Sequence, residues 1–156
     1  MIDARLYIFD ADGTLRRTLV EGQPCPHRPG EWQLLDDVRP VLAGLPAQAL
    51  LGVASNQDHV GYGHLTLDEA RALLGAMMRE ATGRQLPDGA LELCPHRLEV
   101  SCRCRKPGPE LLERLLAFHR VGRSEALFVG DAECDREAAR AAGVRFAWAH
   151  QFFNRR

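Results

Sequence analysis

The sequence predicts a doubly wound, mostly parallel α/β fold with helices on both faces of the sheet. Three observations lead there. Short, fully apolar runs recur along the chain, each run stops at a polar cluster, and between them lie stretches with apolar residues at helical spacing. A strand that is apolar on both sides has to be covered on both sides, which is the condition of a parallel sheet, and its polar carboxyl ends then line one edge. With 156 residues, 46% hydrophobic and 26% charged, the chain is long enough to bury one core, so a single domain over 1–156 is expected.

Taken in order, Leu6-Tyr7-Ile8-Phe9 reads as a buried strand that delivers Asp10-Ala11-Asp12-Gly13 to a turn. A helix over 37–45 follows. Leu50 to Ala54 is the next strand, stopping at Ser55-Asn56, and Thr66-Leu67-Asp68-Glu69 then has the form of a capping box. Beyond it Ala70, Leu73, Leu74, Met77, Met78 and Ala81 mark one helical face before Gly83, with the methionines as core fillers. Ala90 to Cys94 is a short strand. Helices over 109–119 and 133–142 are stopped by Gly122 and Gly143, and flank the strand Ala126 to Val129 that ends at Gly130-Asp131. Arg145 to Trp148 is the last strand. Segments 16–33 and 57–65 show no periodic pattern and are expected as loops walling the site, and neither gap between the strands is long enough for a cap domain.

The formal charge of −1 gives no general attraction to nucleic acid or to an anionic membrane. No apolar run approaches the ~20 residues of a membrane span, and the amino-terminal residues lack the layout of a signal peptide, so the expectation is a cytoplasmic protein without membrane association. Of five cysteines, Cys94, Cys102 and Cys104 crowd into eleven residues with His96, which argues for metal before disulfides. Cys25-Pro26-His27-Arg28 repeats the letters of residues 94–97 but has no second pair nearby, and reads as a coincidental loop. Cys134 reads as a small buried residue on its helix.

Four polar groups thus reach one edge: Asp10 with Asp12, Ser55, Lys106, and Asp131 with Asp135. Asp-Ala-Asp-Gly-Thr after the first strand, Ser-Asn-Gln after the second, Arg-Lys-Pro before a helix, and Gly-Asp-x-x-x-Asp after a later strand resemble the four ordered motifs of the haloacid dehalogenase superfamily. The Cys-x-His, Cys-x-Cys, Arg-Lys-Pro arrangement is similar to its zinc-loop branch, which holds histidinol-phosphate phosphatases and heptose 1,7-bisphosphate phosphatases.

The resemblance implies a Rossmann-like sheet and a phosphomonoester hydrolase. Asp10 would attack phosphorus as a carboxylate nucleophile, giving an aspartyl-phosphate, and Asp12 would protonate the leaving alkoxide and then deprotonate the attacking water. Ser55 and Lys106 would hold the transferring phosphoryl oxygens. Mg2+ would be bound by the Asp10 side chain, the Asp12 backbone carbonyl and the Asp131 side chain, with Asp135 either a ligand or a residue behind one. Zn2+ would be held by Cys94, His96, Cys102 and Cys104 in a loop over 94–104, its four ligands leaving no open position, so that its role is structural. Asn56 and Arg105 are the candidate substrate-binding residues.

Ala11 stands where this branch usually has arginine, and Ala132 where lysine is common; both positions lie near the substrate. The expected substrate is a small phosphorylated metabolite, a sugar phosphate or bisphosphate, acted on by a monomer. The ending Phe146 to Phe153 looks somewhat like the tail of polynucleotide 3′-phosphatases, which makes a nucleic-acid substrate the alternative; a catalytically silent zinc-bearing binding module is the alternative of another class.

Overall fold

The structure is a computed structural model and describes residues 3–155. Strand β1 is Leu6–Phe9, β2 Arg16–Thr18, β3 Trp32–Leu34, β4 Leu50–Asn56, β5 Leu91–Cys94, β6 Ala126–Gly130 and β7 Arg145–Trp148. The helices are α1 Val38–Ala43, α2 Leu67–Thr82, α3 Glu110–His119, α4 Glu133–Ala142 and the short α5 Ala149–Phe152. Five strands form a parallel sheet in the order β5-β4-β1-β6-β7, the Rossmann-like arrangement.

The unbroken apolar runs follow from where their side chains go. Successive residues of a strand point to opposite faces, so Tyr7, Phe9, Leu51, Val53, Leu127 and Val129 meet the apolar sides of α1 and α2. Leu6, Ile8, Ala54, Ala126 and Phe128 meet α3 and α4 on the other face. Either face left bare would have forced alternation. Helix α2 begins as expected: Thr66 Oγ1 accepts from the Glu69 amide at 3.1 Å, and a Glu69 carboxylate oxygen accepts from the Thr66 amide at 2.9 Å. It ends at Gly83, whose φ of +74° suits a residue without a side chain.

Two stretches differ from the sequence reading. Segment 16–33 is not loop throughout: β2 and β3 pair antiparallel, with Arg16 opposite Leu34 and Thr18 opposite Trp32. Strands of three residues are too short for a period of two to show in the sequence. The aromatic tail contains α5, and it packs inward: the Phe152 ring lies 5.8 Å from that of Phe9, and Phe153 is buried against the same residue. No helix among the described residues is long and apolar enough to cross a membrane. Only β2, β3 and α1 separate β1 from β4, and α2 with one short 3-10 turn separates β4 from β5, so no cap domain is present among the described residues.

Candidate active site

Central position in the sheet is what gathers the polar groups. Strand β1 lies between β4 and β6, with Phe9 level with Val53 and Val129. The residues one and two steps further on, Asp10, Ser55 and Asp131, therefore emerge side by side. The Asp10 amide continues the ladder by donating to the Val129 carbonyl at 3.0 Å, which fixes the carboxylate at the strand's end.

Lys106 reaches this point from the loop before α3. Its Nζ donates to Asp10 Oδ1 at 2.8 Å, Asp135 Oδ1 at 2.6 Å and the Ala54 carbonyl at 2.9 Å, so all three ammonium protons are placed. Burial alone would lower the lysine, but the two carboxylates outweigh it and hold it above its ordinary range. Asp10 is less well compensated. Burial, opposed by Lys106, pushes its carboxyl up to about 6. Asp135, also buried, is raised by burial and by Asp10, against Lys106. Its other oxygen accepts from the amides of Asp131 and Ala132, both at 3.1 Å, which ties the start of α4 to the lysine.

Asp131 is exposed at the open side of the edge. The Thr14 hydroxyl sits between it and Asp10, 3.0 Å from Asp131 Oδ1 and 3.3 Å from Asp10 Oδ2, and its one proton can serve only one of them at a time. Gly13 passes so close that a β-carbon there would lie 2.3 Å from Asp131 Oδ2. Asp12 points elsewhere: Arg16 Nε and Nη2 donate to its two oxygens at 2.8 and 3.3 Å, and Gln57 Nε2 donates to Oδ2 at 2.8 Å. Gln57 also donates to Ser55 Oγ at 2.7 Å, linking Ser55 to Asp12.

The sequence reading missed Arg16, which is 1% exposed, because a lone arginine after a turn carries no signal. Thr14 was visible only as the last letter of the first motif. Asn56 and Arg105, read as substrate-binding candidates, have other partners. Asn56 clamps the backbone of Lys106, donating to its carbonyl at 3.1 Å and accepting from its amide at 3.0 Å. Arg105 turns back over its own loop and donates to the carbonyls of Val100, His96 and Arg97. Asn56 thereby fixes the approach of Lys106, and Arg105 braces residues 96–100.

Two metal-compatible donor sets flank the lysine. One oxygen each from Asp10, Asp131 and Asp135 lie within 4.8 Å of one another. Three carboxylates face one ammonium, which leaves net negative charge among hard oxygen donors, a set that suits Mg2+. Cys94, His96, Cys102 and Cys104 form the second set. Cys94 Sγ is 3.4 Å from His96 Nδ1 and 3.6 Å from Cys102 Sγ, and Cys104 Sγ is 3.2 Å from His96 Nδ1. A tetrahedron with zinc-length arms of about 2.0–2.3 Å has edges of roughly 3.3–3.8 Å, so the four donors already stand near the right spacing.

Comparison with known proteins agrees with this geometry. Residues 99–149 match the family model described as haloacid dehalogenase-like hydrolase. The D-glycero-beta-D-manno-heptose-1,7-bisphosphate 7-phosphatase of Pseudomonas aeruginosa is 35% identical over 144 residues, covering 87% of this chain and 75% of that protein. The Pseudomonas putida enzyme of the same name is 30% identical over 151 residues, 90% of this chain and 79% of its own length. Among solved structures, the D,D-heptose 1,7-bisphosphate phosphatase of B. bronchiseptica, complexed with magnesium and phosphate, superposes with a TM-score of 0.76 at 26% identity, over 91% of this chain and 78% of that one.

Proposed function

The chain belongs to the haloacid dehalogenase superfamily of hydrolases, closely related to the D-glycero-D-manno-heptose-1,7-bisphosphate 7-phosphatases, and we propose that it hydrolyses a phosphorylated sugar, a sugar phosphate or bisphosphate. The observation that carries the reading is the buried Lys106 ammonium shared by Asp10 and Asp135 beside the exposed Asp131. This edge holds a carboxylate, a fixed cation and a second acidic group around one small space, which is what phosphoryl transfer through a carboxylate needs.

In the proposed reaction an Asp10 oxygen forms a bond to phosphorus as the ester P–O bond breaks. Asp12 passes a proton to the departing alkoxide. The same Asp12 carboxylate then takes a proton from water, whose oxygen attacks the phosphorus of the aspartyl-phosphate; inorganic phosphate leaves and Asp10 is restored. Lys106 and the Ser55 hydroxyl meet the phosphoryl oxygens, where negative charge has to be held in the transition state. Gln57 and Arg16 fix the orientation of the Asp12 carboxylate by donating to its two oxygens. Mg2+, bound by Asp10, Asp131 and the Asp12 carbonyl, would supply positive charge that lets a phosphate dianion approach the carboxylates. Asp135, with one oxygen on Lys106 and the other on two amides, supports the lysine and completes the acidic set around the ion, as a ligand or as the residue behind one. Zinc at the cysteine cluster would fix the loop that carries Lys106.

The substrate test is kcat/KM on heptose 1,7-bisphosphate, histidinol phosphate and a 3′-phosphorylated oligonucleotide, each with Mg2+. The heptose ester should lead. An oligonucleotide that wins by orders of magnitude, at a rate falling steeply with salt, would overturn the sugar assignment, and no turnover of any phosphate ester would overturn the catalytic one.

A further inference from the structure

We propose a second metal site, for a borderline divalent ion of the zinc class, formed by Cys25, His27 and His59 at the junction of the two loops that wall the active site. One donor atom from each of the three lies within 4.8 Å of the others. The pairing partner absent near Cys25 in the sequence comes from more than thirty residues on, out of the other wall. A thiol and two imidazoles are the donors that zinc, cobalt and nickel favour over magnesium or calcium. A third imidazole stands beside them. The His64 ring stacks on His27, with centroids 4.8 Å apart and planes 8° from parallel, and so holds the orientation of the His27 imidazole.

The loops are built to hold these donors. On one side the Glu31 carboxylate accepts from the His27 amide at 2.9 Å, the Arg28 amide at 3.2 Å and Gln23 Nε2 at 3.0 Å, while Gln23 also donates to the Cys25 carbonyl at 2.8 Å. Cys25 is itself buried. On the other side the His64 amide donates to the His59 carbonyl at 3.0 Å, closing a turn through Gly63 at φ +84°. That same loop leans on the cysteine-rich one: a β-carbon on Gly61 would lie 2.7 Å from the Pro95 carbonyl oxygen, and the Tyr62 hydroxyl donates to Glu99 at 2.8 Å. Residues 57–65 therefore run between the two clusters.

His27 Nε2 and His59 Nδ1 are 2.8 Å apart, at hydrogen-bond distance. A tetrahedral ion with arms of about 2.0–2.1 Å needs roughly 3.3–3.4 Å between them, so the rings part by about half an ångström on binding. The protons balance. The Cys25 thiol proton goes to solvent, the proton between the rings moves to the far nitrogen of its own imidazole, and both facing nitrogens are then free to bind.

The test is metal stoichiometry of the full chain after dialysis against buffered Zn2+ in excess Mg2+, which keeps the oxygens of Asp10, Asp131 and Asp135 occupied, with Co2+ as the spectroscopic probe. Wild type should bind two equivalents. Cys25→Ser and His59→Ala should each bind one, and so should Cys102→Ser, whose remaining Co2+ should absorb as a one-thiolate rather than a three-thiolate centre. Should Cys25→Ser fail to fold, the half-buried His59 decides alone. A single equivalent in wild type, lost in Cys102→Ser and kept in His59→Ala, overturns the proposal. Loss in His59→Ala with none in Cys102→Ser would instead overturn the assignment of the 94–104 loop and leave this one standing.

Discussion

Asp10→Asn should abolish turnover and, in protein dialysed free of Mg2+, make the fold more stable at neutral pH. Burial is the largest influence on Asp10 and Lys106 opposes it; together they raise the carboxyl from 3.8 to about 6. A value higher in the folded than in the unfolded chain means that the folded chain binds the proton more tightly. Stability from this group is therefore fully present below about pH 4 and is lost as the pH rises through about 6. At about 1.4 kcal/mol per pH unit, ionised Asp10 destabilises the metal-free fold by roughly 3 kcal/mol at pH 7.5. Asparagine has nearly the same shape, can accept from Lys106 through its carbonyl oxygen, and does not ionise. Lys106 keeps Asp135 and the Ala54 carbonyl as partners.

Urea denaturation of both proteins reads this out, because it separates a change in midpoint from a change in slope. The variant should exceed wild type by about 3 kcal/mol at pH 7.5, and the gap should close toward zero near pH 4. Added Mg2+ should narrow the gap at pH 7.5 by binding wild type in preference. Dialysis rather than strong chelation matters, because a chelator would also strip the cysteine cluster. Equal or lower stability of the variant at pH 7.5, or a gap flat with pH, would show that Asp10 is not the poorly compensated carboxylate described above. For turnover, a loss on the order of 10⁴-fold or more is expected; hydrolysis at the wild-type rate would sink the nucleophile assignment.

Cys102→Ser should lower both stability and turnover, since it loosens the loop that carries Lys106; thermal unfolding with and without added Zn2+ checks this, and zinc-independent unfolding of wild type would contradict it. Asn56→Ala frees the Lys106 backbone and should destabilise the fold by about 1–3 kcal/mol, with kcat falling more than KM rises; unchanged kcat would mean that Lys106 needs no such clamp. Arg16→Met keeps most of the buried volume but releases Asp12, so kcat should fall about tenfold or more at a stability loss of about 2 kcal/mol; a stability loss with kcat intact would leave Arg16 a packing residue only.

The sheet and its edge were legible because buried parallel strands need apolar residues on both faces, and such runs end visibly where polar groups begin. Leu6–Phe9, Leu50 to Ala54 and Ala126 to Val129 could be marked from the sequence for that reason. What stayed hidden depends on contacts distant in sequence. Gln57 acts by reaching back to Asp12, Asn56 by reaching a backbone fifty residues away, and His59 by meeting His27 across two loops. None of these has a local pattern to read.

The same division bears on where specificity resides. A bisphosphate brings a second dianion, which needs a cation of its own, yet both cations at the edge are committed: Lys106 to Asp10 and Asp135, Arg16 to Asp12. Ala11 and Ala132 add none. With no cap domain among the described residues, we propose that what lies beyond the transferred phosphoryl group is recognised by segments 16–33 and 57–65, whose exposed Arg28 is not tied into an ion pair among the described residues. Those are the segments that Cys25, His27 and His59 draw together. A metal ion there would set the spacing of the two walls, and so the size of sugar that reaches Asp10, without touching the chemistry of the sheet edge.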